Sequence, residues 1–222
     1  MFPVMTMERE GCTQCLGCEG KLCLGCFACS DQCQDGMKLH AGHVSGVPGQ
    51  LGTHSLIGLA HQPKGGGGLT PTVQIMDRAS YDTPPLAVVQ GPGIFGGCSE
   101  CCCSVPFTVT RVPAGVGVDG YKSLQIGDLA TITKKKPSGF GAAMRELFTD
   151  SDLYTLEIHD ATVTPQQKAS LLGSLLLLDY MFFEKDNDMI YCENQKLKIN
   201  LCNCYCYGCL CPCEIIVPLQ QG

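Results

Sequence analysis

The stretch from Thr164 to Phe183 constrains this chain more than any other part of it. Thr164 is a residue type that caps helices, and Pro165 suits the first helical position. Gln167 stands three residues after the cap, the spacing of a capping box. Only Gly173 interrupts the helical pattern that follows, and a helix is predicted over residues 165–184. Leucines at 171, 172 and 175–178, with Tyr180-Met181-Phe182-Phe183, cover every side of it. A helix apolar all round must be buried, in protein or in lipid. A membrane span needs roughly 20 mainly apolar residues. Here the uncharged apolar core is residues 169–178, and Asp179 interrupts it. An Asp near the centre of a span costs about 2.5 to 3.5 kcal/mol on insertion scales. Burial inside a sheet is the favoured reading and membrane insertion the second.

Strands able to enclose such a helix are legible on both sides of it. Short runs rich in β-branched and apolar residues occur at 37–41, 54–61, 72–78, 86–90, 106–112 and 153–159. Residues 121–126 and 129–133 read as a hairpin closed near Gly127-Asp128, and 142–148 as one or two helical turns. The glycines at 65–68 read as a flexible turn. Strand-like pieces resume at 189–193, 197–201 and 214–217. With 222 residues the chain can build one sizeable core or two small ones. Its 45% hydrophobic and 16% charged residues exclude a disordered tail. A net charge of -6 gives no basis for nucleic-acid binding, which wants a basic surface.

Cysteine is the outlying residue, with 18 copies in three groups: 12–33, 98–103 and 192–213. The first 30 residues lack a charged segment followed by an unbroken apolar run, so no secretory signal is read there. Thiols kept in the cytosol stay reduced, which leaves metal ligation or S-acylation. Cys12, Cys15, Cys26 and Cys29 have the paired C-x2-C spacing of a zinc site. Seven thiols within 12–33 nevertheless exceed one tetrahedral site. Acylation needs only exposed thiols near a bilayer, and two or more chains anchor stably where one is marginal. The vicinal run Cys101-Cys102-Cys103 suits acylation better than chelation.

Several pieces, read in order, resemble the phospholipid scramblase family over roughly residues 20–184. The cysteines at 23–33 lead into Asp35-Gly36-Met37-Lys38-Leu39-His40-Ala41-Gly42. Val89-Gln90-Gly91-Pro92 precedes Cys98, Cys101–103 and Pro106-Phe107. Arg145-Glu146-Leu147-Phe148-Thr149-Asp150-Ser151-Asp152 is similar to the family's acidic calcium segment. Lys168-Ala169 through Leu178-Asp179-Tyr180-Met181-Phe182-Phe183-Glu184 is similar to its C-terminal helix. The resemblance implies a mainly β, Tubby-like antiparallel barrel around a central hydrophobic C-terminal helix. It implies calcium-responsive, bidirectional movement of phospholipids between leaflets by a cytosolic domain held at the plasma membrane. S-acylation is then expected at Cys23, Cys26, Cys29, Cys33, Cys98, Cys101, Cys102 and Cys103, and ranks ahead of zinc. The chain departs from the family in two places. No early barrel strands are read before Cys12, which leaves the barrel incomplete, and about 38 residues with seven cysteines follow the helix. The organisation is one scramblase-like domain over 1–222. It has a Cys-rich start (1–34), a strand-rich core with its helix (35–184) and a Cys-rich extension (185–222) whose strands are candidates for the missing barrel places.

The candidate calcium residues are Asp150 and Asp152 at the first and third places of a loop. Tyr154, the backbone of Leu156, and Asp160 near the twelfth place follow. Alternate carboxylates supply the oxygens calcium wants. Thr155 stands where such a loop prefers Gly, so binding is expected to be weak, and a surface Asp-Ser-Asp turn is an equal reading. Lys134-Lys135-Lys136 can serve an acidic lipid, but as a three-lysine turn it reads first as a solvated loop. His40, His43, His54 and His61 need no ligand role. No catalytic triad, phosphate loop or carboxylate pair is present in the pattern, so enzyme chemistry is not expected. The rival function is a cytosolic zinc-binding interaction module with protein partners on its Cys-rich segments.

Overall fold

The computed structural model describes residues 5–10, 34–42, 55–76, 84–113, 128–136, 153–183 and 189–219. Strand makes up 53% of these, and the protein is mainly β. Eight antiparallel strands form one strongly curled half-barrel sheet. They are β1 (Met5–Glu10), β2 (Gly36–Ala41), β3 (Leu56–His61), β4 (Thr72–Met76), β5 (Ala87–Gln90), β7 (Val105–Arg111), β8 (Asp128–Lys134) and β9 (Tyr154–Ile158). They pair in that order, sequence neighbour beside sequence neighbour, apart from the two-residue β6 (Ile94–Phe95), which leaves the sheet. The predicted strands recur at these places with ends moved by one or two residues. The predicted elements at 121–126 and 142–148 lie outside the described residues.

One helix, α1 (Pro165–Phe182), lies on this sheet. Its capping box forms as the sequence dictates: Gln167 N–H donates to Thr164 Oγ1 at 3.2 Å, and Thr164 N–H to Gln167 Oε1 at 3.1 Å. Leu171, Leu177, Leu178 and Phe182 are fully buried with Leu39, Leu59, Ile75 and Phe107 of the strands. Gly173 has a packing role, because a Cβ there would come within 2.8 Å of Leu39 Cδ2 on β2. The sheath is not complete: Leu172 is 42% exposed, as befits a half-barrel. Asp179, which counts against a membrane span, accepts a hydrogen bond from the Tyr154 hydroxyl at 2.7 Å. No helix among the described residues is long and apolar enough to cross a membrane.

The extension after the helix does not fill the barrel's missing places. It builds a second sheet of β10 (Ile190–Glu193), β11 (Lys196–Cys206) and β12 (Cys209–Pro218), to which β6 adds on β11. Tyr207 and Gly208 close the β11–β12 hairpin with φ of 48° and 95°, the two positive values of a type I′ turn. The tip of this hairpin rests on the glycine run. Tyr205 Oη donates to Gly66 O at 2.6 Å and accepts from Gln62 Nε2 at 3.0 Å, while Tyr207 N–H donates to Gly68 O at 2.7 Å. The predicted flexible turn is a tight turn over Lys64–Gly67, with left-handed φ of 67° at Gly65 and 62° at Gly66, fixed by that contact. A further difference is at the N-terminus, where Met5–Glu10 supplies a strand ahead of Cys12 and pairs with β2.

Candidate functional site

The C-terminal end of α1 is where the two sheets meet. Phe182 lies edge-on to Phe95 of β6, with ring centroids 5.5 Å apart, and to Tyr205 of β11 at 5.7 Å; it stacks on Phe107 of β7 at 6.5 Å. Phe183 adds edge contacts to Phe107 and Tyr154. Lys134, the last residue of β8, sits over the Phe183 ring at 4.2 Å and pairs with Glu100 at 2.5 Å. The lysine run is therefore not one solvated loop. Strand alternation turns Lys134 inward, where its ammonium gains a ring face and a carboxylate; Lys135 and Lys136 lie past the end of the strand, half-buried and exposed.

Next to this hub the chain presents thiols. The 3-10 helix Gly97–Cys101 ends in a turn that leaves Cys101, Cys102 and Cys103 exposed and Cys98 half-buried. Lys136 braces that turn: its N–H donates to Ser104 Oγ at 3.1 Å and its ammonium to Cys102 O at 3.3 Å. The remaining acylation candidates, Cys23, Cys26, Cys29 and Cys33, lie outside the described residues, as do the zinc candidates Cys12, Cys15, Cys26 and Cys29.

The tail holds a feature that sequence spacing signals only once register is known. Cys202, Cys204 and Cys206 of β11 stand opposite Cys213, Cys211 and Cys209 of β12, so six thiols share one face of the hairpin. All six are free. Cys204 Sγ and Cys213 Sγ are 3.5 Å apart, a thiol–thiol hydrogen bond rather than the roughly 2.05 Å of a disulfide. That bond, with partial burial, raises the pKa of Cys204.

The calcium candidates divide. Asp150 and Asp152 lie outside the described residues. Tyr154 and Leu156 are in β9, paired with Lys134 and Ile132 of β8. The Tyr154 hydroxyl is directed to Asp179, and the Leu156 side chain packs on the core. Asp160 Oδ1 accepts from both the N–H and the hydroxyl of Thr162, and Oδ2 from Arg111 at 2.8 Å. The Thr162 bonds, then Arg111, hold its pKa below the usual carboxylate value. A cation at Asp160 would have to displace Arg111. No three His, Cys, Asp or Glu side chains among the described residues gather as a metal group. His40 Nδ1 is 3.1 Å from Ser55 Oγ, and its Nε2 is 3.5 Å from the buried Glu8 carboxylate. His61 Nδ1 donates to Gln62 O at 3.0 Å, and burial lowers its pKa.

The segment that carries the hub, the exposed thiols and the helix also matches a known family. Residues 82–185 match the scramblase family. The match runs from the approach to β5 through the end of α1 and so includes Cys98–103, Asp150, Asp152 and the helix. It leaves the first four strands and β10–β12 outside. No solved structure matches the chain. The match, over just under half of the chain, is a likeness of this segment to the scramblase family, which is not a class of catalytic enzymes.

Proposed function

We propose that this protein is a calcium-responsive phospholipid scramblase that moves lipids in both directions between leaflets, held on the cytosolic face of the plasma membrane by S-acylated cysteines. The observation that carries this reading is the scramblase match over the segment that includes the sheathed helix and its aromatic end. Support for anchoring comes from Cys101, Cys102 and Cys103, three consecutive exposed thiols on the matched segment. Two or more acyl chains at such a turn make attachment stable where one would be reversible. Calcium responsiveness belongs to Asp150 and Asp152, whose alternate carboxylates offer hard oxygen ligands. Asp160 joins them only by giving up Arg111.

The test is dithionite quenching of fluorescent lipid in vesicles reconstituted with the acylated chain, with calcium and with chelator. Loss of leaflet protection in calcium alone is the expected result. Asp150→Asn with Asp152→Asn should abolish the calcium difference without removing vesicle association. Half-protection that is equal with and without calcium, and equal to protein-free vesicles, would end the reading. Hydroxylamine-sensitive fatty acid on the 98–103 turn, read by mass spectrometry, tests the anchor separately.

A further inference from the structure

We propose that the protein docks on anionic bilayers through one corner, built by the Cys101–103 turn, the end of β8, the start of β9 and the start of the C-terminal extension. This rests on the membrane reading above and adds the surface and the lipid class. Three contacts bring the corner together. Lys136 binds the cysteine turn through Ser104 and Cys102. Lys135 N–H donates to Leu153 O at 2.8 Å, which places Leu153 beside the lysines, and Leu153 is 63% exposed. Cys101 Sγ is 3.4 Å from Met189 Sδ, which brings in the extension and its neighbour Ile190, 58% exposed. The corner thus joins three exposed thiols, two exposed aliphatic side chains and the outer two lysines of the run.

The chemistry selects a lipid surface. Leu156 and Ile158, farther along β9, turn their apolar groups to the core, whereas Leu153 turns outward next to charge. Isolated aliphatic side chains among lysines match a bilayer interface, where apolar groups enter the acyl boundary and lysine stems reach the headgroups. Lys134 is satisfied inside by Glu100 and Phe183, while Lys135 and Lys136 make no ion pair among the described residues. Two lysines near an anionic leaflet are worth roughly thirtyfold in partitioning. Thiols at the same surface would lie where acyl chains can enter the bilayer directly.

The experiment is vesicle flotation of the full-length, reduced chain without acyl groups, in chelator and low salt. Vesicles are phosphatidylcholine with or without phosphatidylserine. Association is expected only with phosphatidylserine present. It should fall roughly thirtyfold in Lys135→Gln/Lys136→Gln and fall clearly in Leu153→Ser/Ile190→Ser. The exposed pair Lys64→Gln/Lys168→Gln, which removes the same charge elsewhere, should behave as wild type. Thermal melting of each variant shows that it is folded. Wild-type chain that fails to float with phosphatidylserine, or equal flotation of all variants, overturns the proposal, as does capture of a protein partner at this corner without vesicle binding. A chain that scrambles yet ignores these substitutions overturns the docking surface alone. One that docks by them and leaves dithionite protection intact overturns the scramblase reading alone.

Discussion

At the residue scale, Asp179 shows how one side chain is read differently with and without its neighbours. In the sequence it is a charge interrupting an apolar helix, and that alone argues against a membrane span. In the fold it is a partner for Tyr154, which β9 places against the helix. A hydrogen bond to a charged group is worth about 1.5–3 kcal/mol, and a buried acceptor left without its donor is costly. Tyr154→Phe should therefore lower the unfolding free energy by about 1–2 kcal/mol in urea denaturation, since Asp179 is only half-buried. Asp179→Asn keeps an acceptor for Tyr154 and should lose less. A Tyr154→Phe protein as stable as wild type would show that the bond carries no weight. Lys134 illustrates the same point: three identical lysines are indistinguishable by composition, and only the fold separates them, with Lys134 turned inward on β8 and Lys135 and Lys136 past the end of the strand.

At the element scale, the strongest contrast is the glycine run. Four glycines in sequence say only that the backbone is free. What fixes them is a tyrosine about 140 residues later in the chain, whose hydroxyl binds Gly66 O. A Cβ on Gly66 would lie 2.2 Å from Tyr205 Oη and 2.5 Å from Gly208 N, and φ is +62°. Gly66→Ala is expected to cost at least about 1–2 kcal/mol from backbone strain alone. It should also expose the β11–β12 hairpin to limited proteolysis before the main sheet, with the cleavage sites read by mass spectrometry. Unchanged protection of the hairpin would mean that this contact does not hold it. The cysteine ladder is a second long-range product. Alternating thiols at 202, 204, 206 and 209, 211, 213 are visible in sequence, but their pairing depends on the I′ turn at Tyr207-Gly208. Tyr207 hides that signal, because such turns are usually marked by Asn-Gly or Asp-Gly.

At the scale of the whole molecule, Phe182 joins the half-barrel, β6 and the tail sheet through Phe107, Phe95 and Tyr205. Truncation of a buried Phe costs about 3–5 kcal/mol. Phe182→Ala should lower the melting temperature of both sheets together, followed by far-UV circular dichroism and by Tyr fluorescence. Two separated transitions would show that the sheets are joined elsewhere. The helix, its capping box, its burial and most strands are legible from residue order alone, because capping and hydrophobic periodicity act over a few residues. The scramblase-like order of segments also agrees with the family match. Residue order missed β1 and β6, which are short and hold their place through partners: β2 for one, β11 and the Phe182 ring for the other. That the tail forms its own sheet instead of closing the barrel, and that Cys101–103, Lys135, Lys136, Leu153 and Ile190 share one corner, follows from the folded chain. Those outcomes depend on contacts between residues far apart in the chain, where local propensity has no reach and register and packing choose.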